Sequence, residues 1–200
     1  LAKRAIFVFC CIAGENDELR QSVIDLRTLR VLPSVMKKKA GNRVIIQYCC
    51  WLIENVMKGT EHHRQAVINN GLLASILSIL RTGDREAKMQ SSGPITILAM
   101  AGTPAQIQSL LAEKPMSALV SAFDGTHFAC CVNALEVIDK LLSSIGGRQL
   151  TALLGEMERT GVLDKLKEKL NNVHEHGQVR GLAHKILSDH FANNDEEVGR

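Results

Sequence analysis

The chain matches itself at a spacing of about 44 residues, and periods of about 20 to 50 residues mean stacked units rather than one closed core. Gly14-Glu15-Asn16-Asp17-Glu18-Leu19-Arg20-Gln21-Ser22-Val23-Ile24 resembles Lys58-Gly59-Thr60-Glu61-His62-His63-Arg64-Gln65-Ala66-Val67-Ile68, with Arg20-Gln21 recurring as Arg64-Gln65. Gln108-Ser109-Leu110-Leu111 continues the series one unit on. A second segment recurs in the same register, at residues 28–36, 72–80, 115–123 and 162–170. Between these run longer stretches, 43–58, 85–101, 127–144 and 178–191, whose apolar residues fall three and four positions apart, as on one face of a helix. Each unit therefore reads as a short, a medium and a long helix.

The turn chemistry agrees. Gly14, Gly59 and Gly102 are placed to end helices, and Gly71 and Gly161 stand where one helix must turn sharply into the next. Pro115 suits a first helical turn, where its missing N–H is not needed, and Pro33 and Pro94 are expected early in helices or at a kink. Apolar residues make up 46% of the chain but aromatic ones only 4%, so the core is built from Leu, Ile, Val, Ala and Cys, which favours packed helices over a sandwich of sheets.

Several function classes are disfavoured. A net charge of +3 implies neither a nucleic-acid nor a membrane surface, and the one basic run, Lys37-Lys38-Lys39, reads as a solvated helix end. The six cysteines fall in adjacent pairs, Cys10-Cys11, Cys49-Cys50 and Cys130-Cys131. Neighbours on a helix point about 100° apart, which serves neither zinc nor a disulfide, so they read as small packing residues in a reducing compartment, cytoplasmic or nuclear. Lys3-Arg4 followed by apolar residues 5–13 imitates a signal peptide, but falls far short of the roughly 18 residues a membrane span needs. An enzyme would have to pair Cys49 or Cys131 with His62, His63 or His127, and no oxyanion feature or phosphate loop accompanies them. His174 and His176 flank Glu175 in a loop and read as surface residues; no metal and no cofactor is expected.

Three helices in a unit of about 42 to 45 residues resemble the armadillo pattern. The resemblance implies an all-α fold, a right-handed α-α superhelix of about four and a half three-helix repeats. The array is expected over residues 1–192, with a partial first repeat at 1–13, which suggests a fragment beginning mid-repeat, and repeats at roughly 14–58, 59–101, 102–145 and 146–192. Residues 193–200 read as an acidic disordered tail.

In such arrays the third helices line a groove, the default binding site. Trp51 and Asn55 stand four residues apart, on one helix face. Cys50-Trp51-Leu52-Ile53-Glu54-Asn55-Val56-Met57-Lys58-Gly59-Thr60 and Gln65 to Leu73 resemble a later repeat of the importin-alpha family, and Gly161 to Leu166 with Val179 to Phe191 resembles its last. The resemblance implies a nuclear import receptor whose Trp-x-x-x-Asn ladder grips nuclear localisation signals. The indole would hold a Lys or Arg, and the Asn amide would pair with peptide backbone. Only one rung is intact. One period earlier stand Phe7 and Cys11; one period later stand Gly93 and Ile97, or Pro94 and Leu98 if the register slips by one. Where the family commonly has an acidic residue three positions before the Trp, this chain has Tyr48 and Gln90. The expected groove residues are thus Trp51, Asn55 and Tyr48, with Phe7 and Gln90 weaker. The family's partners would be importin-beta, through a basic N-terminal segment missing from these residues, and an export receptor at the last repeat. The alternative is a general armadillo or HEAT-type scaffold without signal recognition.

Overall fold

A computed structural model of the protein describes residues 2–123 and 127–191, so the acidic tail expected at 193–200 lies outside the described residues. Among them are thirteen helices and no strand. The long helices α1 (Ala2–Glu15), α4 (Arg43–Met57), α7 (Arg85–Ala101), α10 (Phe128–Ser144) and α13 (Gly177–Phe191) pack one against the next. Before each of the later four comes a pair: α2 (Asp17–Asp25) and α3 (Thr28–Lys38), α5 (Glu61–Asn69) and α6 (Leu72–Thr82), α8 (Pro104–Ala112) and α9 (Met116–Val120), α11 (Gly147–Thr160) and α12 (Val162–Asn171). The second helices of the pairs, α3, α6, α9 and α12, form a second ladder, with α9 only 5 residues long, and α2, α5 and α8 form a third.

Local chemistry sets the helix ends. Asn16, Asn42, Asp84 and Thr103 each accept the backbone N–H three residues on, at Leu19, Ile45, Ala87 and Gln106. Thr60 and Thr103 complete reciprocal capping boxes, their own N–H groups bonded by His63 Nδ1 at 3.0 Å and Gln106 Oε1 at 3.3 Å. Between the first and second helices the chain turns through one left-handed residue in every unit: Arg27 (φ 56°), Gly71 (68°), Lys114 (51°) and Gly161 (70°). Two of those sites thus carry the glycine the geometry favours, and two carry residues whose Cβ resists it.

The recurring arginine also has a structural use. Arg20 Nε donates to the Asn55 carbonyl at 2.9 Å, and Arg64 Nη1 to the Gly59 carbonyl at 2.7 Å. Two guanidinium groups, one from α2 and one from α5, sit at the negative end of α4, Arg20 on a carbonyl of its last turn and Arg64 on the Gly59 carbonyl just beyond it. The next seam is tied by Gln106, fully buried, which donates to the Glu61 carbonyl at 2.9 Å.

The core runs the length of the array. Helix α4, between α1 and α7, is apolar nearly all round, with Cys49, Cys50, Leu52, Ile53, Val56 and Met57 at 0% exposure. Burying each Leu or Ile contributes about 1.5–3 kcal/mol, and truncating Leu52 to Ala would cost about 2–5 kcal/mol through the cavity left behind. Five of the six cysteines are buried as packing residues; Cys11 is exposed, because its side of α1 faces solvent.

Three local expectations are corrected. Pro33 and Pro94 lie well inside α3 and α7 rather than early in them. Around Pro94, Ser91, Ser92 and Thr96 turn their hydroxyls onto the carbonyls of Lys88, Met89 and Ser92, and α7 runs unbroken through the residue that lacks an N–H. The fourth unit's first helix is not short: α11 has 14 residues against nine in α2, α5 and α8, because Leu150, Leu153, Leu154 and Met157 keep helical spacing against the core.

Candidate functional site

Along the row of long helices, one edge stays open to solvent while the other is sealed by the paired helices. On α4, beyond its exposed first residue Arg43, the residues that remain at least partly exposed are Val44, Gln47, Tyr48, Trp51 and Glu54, which fall on a single stripe. On α1 the matching stripe is Lys3, Phe7 and Cys11; on α7 it is Gln90, Gly93 and Ile97. Pro94 and Leu98 are buried, so α7 offers the groove no Trp-x-x-x-Asn rung, and its one side-chain amide on that stripe is Gln90.

Tyr48, Trp51 and Phe7 come together. Their ring centroids are 5.4 Å (Phe7–Tyr48), 6.1 Å (Phe7–Trp51) and 6.4 Å (Tyr48–Trp51) apart, with interplanar angles of 51°, 57° and 47°. None is stacked flat on another, so the three rings stand as tilted walls over the α1–α4 seam. Phe7 is 43% exposed, and Tyr48 and Trp51 are half-buried against the core.

Asn55 follows Trp51 by one turn but looks inward. It is 6% exposed, and its Nδ2 donates to the Cys10 carbonyl of α1 at 3.0 Å. Gly14 permits this approach: a β-carbon there would sit 3.3 Å from Asn55 Nδ2. Part of the amide expected to hold a peptide backbone is therefore used to hold α1 to α4. Gln90 is half-exposed on α7, apart from the aromatic cluster, where no aromatic residue of α7 joins it.

The groove's charges are largely self-paired. Glu54 binds Lys58 at 2.8 Å on its own helix and leans over Gly93, whose missing side chain makes the room; a β-carbon there would lie 2.9 Å from Glu54 Oε2. At the helix starts, Glu86 links His127 at 2.7 Å and Arg43 at 3.4 Å, joining α4, α7 and α10. The His127 hydrogen bond is the main reason the Glu86 carboxyl is held below the usual carboxylate range. Asp139 of α10 meets Lys185 and His190 of α13.

Three of the buried thiols are unsuited to nucleophilic work. Burial pushes both Cys10 and Cys49 up to about 12, and raises Cys50 as well, the reverse of what an activated thiolate needs. Among the described residues no three His, Cys, Asp or Glu side chains cluster as metal ligands, and no helix is long and apolar enough to cross a membrane. Glu175 binds Lys169 at 2.8 Å, and the His176 ring packs 4.1 Å from that of Phe128.

Sequence reasoning reached Trp51, Tyr48 and Phe7 separately, as ladder positions, and missed that they form one cluster. The signal was available: Phe7 precedes the cap Asn16 by the same interval as Trp51 precedes Thr60. Glu54 and Gly93 were also missed as contacts, and only their three-and-four spacing from Trp51 and Gln90 on the open face hinted at them.

Comparison with known proteins fits this geometry. No family profile matches the chain. Importin subunit alpha-4 of Arabidopsis thaliana is 26% identical over 157 residues, which is 74% of this chain but 28% of that protein, so the chain spans little more than a quarter of that relative's length. A designed armadillo repeat protein in complex with a (KR)4 peptide has TM-score 0.76 at 24% identity, covering 93% of this chain and 74% of that one. A second designed armadillo repeat protein has TM-score 0.74 at 23% identity, over 93% of this chain and 74% of that one. An engineered protein has TM-score 0.77 at 20% identity, over 94% and 73%. The fold is an armadillo-repeat solenoid.

Proposed function

We propose that the chain is a protein-interaction scaffold that holds an extended basic peptide along the open face of its long helices, and in its most specific form a receptor for nuclear localisation signals. The observation that carries the reading is the Phe7–Tyr48–Trp51 cluster on that face. An aromatic face attracts a Lys or Arg side chain by about 0.5–2 kcal/mol. The importin-alpha likeness and the (KR)4 peptide on a designed relative support the same chemistry. With one aromatic site and a partly spent Asn55, binding here is weak unless several segments engage together. Importin-beta, an export receptor and a shuttling location between cytoplasm and nucleus belong to this reading through the importin-alpha likeness alone.

One observation favours a second reading, the general scaffold. Glu54 is already paired with Lys58, and α1 brings Lys3 and Arg4 to the edge beside Phe7, so the surroundings of the aromatic cluster are less acidic than a densely basic ligand would seek. The experiment is a titration of basic and neutral octapeptides against the parent and Trp51→Ala, followed by the fluorescence of Trp51, the chain's one tryptophan, and for the variant by calorimetry. The first reading expects the basic peptide to bind and to lose about 0.5–2 kcal/mol in Trp51→Ala. Equal affinity for both peptides would leave only the general scaffold.

A further inference from the structure

Resting on that groove reading, we infer that the Phe7–Tyr48–Trp51 cluster is an arginine-selective site, one that prefers a guanidinium to a lysine ammonium. The centroids form a nearly equilateral triangle with sides of 5.4, 6.1 and 6.4 Å, so one cation standing over its middle lies within roughly 6 Å of all three ring centroids at once. The rings come from two helices. Between Ala2 and Gly14 α1 has no carboxylate, and α4 has one, Glu54, which is held by Lys58 at 2.8 Å.

The absence of a free carboxylate beside the three rings decides the selectivity. A cation entering this site leaves water for π faces alone, with no counter-ion to repay its dehydration. Ammonium is compact and strongly hydrated, whereas guanidinium is planar, more weakly hydrated and stacks on aromatic faces. The tilt of about 50° between rings lets a flat guanidinium lie on one ring while its edge meets the other two. Lys3 and Arg4, one turn before Phe7, repel any cation of the same charge alike, so they lower all affinities without changing the order. That repulsion acts through solvent and is screened by salt, while the ring contact is not.

The test uses the whole chain and four uncharged Gly/Ser octapeptides, each carrying one central residue: arginine, lysine, trimethyl-lysine or citrulline. Trp51 fluorescence and the indole N–H resonance report binding, and calorimetry reports it in Trp51→Ala. The arginine peptide is expected to bind about fivefold more tightly than the lysine peptide, with citrulline weaker than both. Affinity should hold or rise as salt increases from about 0.01 to 0.15 M. Phe7→Leu, which keeps an apolar side chain at a 43% exposed site and so spares the fold, should collapse the arginine preference to less than about twofold. Lysine binding as well as arginine, with both lost in Trp51→Ala, overturns the selectivity while sparing the groove. Trimethyl-lysine binding best makes the site a quaternary-ammonium cage and overturns the arginine assignment. A steep loss of affinity with salt, citrulline binding as well as arginine, or an unchanged preference in Phe7→Leu also overturns it. No binding by these peptides while the densely basic octapeptide still binds overturns the arginine assignment, and no binding by either fails the groove reading itself.

Discussion

The left-handed turn at Lys114 offers the sharpest test of the repeat geometry. Its φ is 51°, at the place where two other units have glycine. An L-residue in this region costs about 1–2 kcal/mol relative to its right-handed conformation, and glycine avoids that cost. Glycine also widens the unfolded ensemble, which returns about 0.5–1 kcal/mol. Lys114→Gly should therefore stabilise the chain by about 0.5–1 kcal/mol, since Lys114 is exposed and its backbone N–H keeps its bond to the Leu111 carbonyl. For a chain of this size each kcal/mol moves the melting temperature by about 2–4 °C. The same change at Arg27, φ 56° and also exposed, should add independently because it lies in another unit. The reciprocal change, Gly71→Ala, meets no atom within 4 Å of the new β-carbon, so its cost is purely conformational and of opposite sign. Urea and thermal denaturation followed by circular dichroism measure all three. If Lys114→Gly lowers the midpoint, as glycine does on an exposed helix, the strain attributed to this turn is not there.

Two further outcomes concern buried titratable groups. His63 is 3% exposed and its Nδ1 accepts the Thr60 N–H, and burial holds its pKa below the ordinary value of about 6.5. The unfolded chain thus binds the proton first, so stability is full above about pH 6.5 and falls as pH drops below it. His63→Gln, which installs the capping chemistry already present at Gln106, should flatten the pH 5–7 part of the stability curve, and an undiminished slope there would refute the assignment. Glu156, 8% exposed, accepts the Met116 N–H at 2.7 Å, and burial raises its pKa. Its charged form is disfavoured in the fold, so the penalty is present at pH 7 and fades as pH falls toward the carboxylate range. Glu156→Gln should match or exceed the parent's stability at pH 7 and lose that advantage near pH 4, whereas Glu156→Ala should cost about 1–3 kcal/mol by orphaning the Met116 N–H. A Gln variant as unstable as the Ala variant would show that the negative charge itself is what α9 requires.

Much of the fold was legible because stacking leaves its mark on every unit. The long helices follow from apolar residues three and four apart, and Gly71 and Gly161 announced two of the left-handed turns. Arg27 and Lys114 did not, since their residue types give no sign of a positive φ; only their place in the register links them to the glycines. Helix α11 was under-read for a related reason. Its start at Gly146-Gly147 lacks the Asn or Thr cap that marks α2, α5 and α8, so amphipathic spacing was the only cue to its length.

The site was legible as positions but not as contacts. Four-residue spacing puts Asn55 under Trp51, yet whether the amide faces a ligand or a neighbouring helix depends on how closely α1 approaches. That distance is set by Gly14, which reads in sequence as a helix terminator and in the structure lies inside α1, opposite Asn55. The same approach carries Phe7 to Tyr48 and Trp51. Close packing of α1 on α4 thus turns the amide inward and, by the same movement, gathers three rings at the surface. A ladder that reads in sequence as a broken series of rungs becomes one aromatic cluster at a single seam. Any ligand chemistry on this face is accordingly concentrated on α1 and α4, where substitutions at Phe7, Tyr48 or Trp51 should be strongly coupled, and α7, with Gly93 and Ile97 on its open face, supplies no second aromatic site.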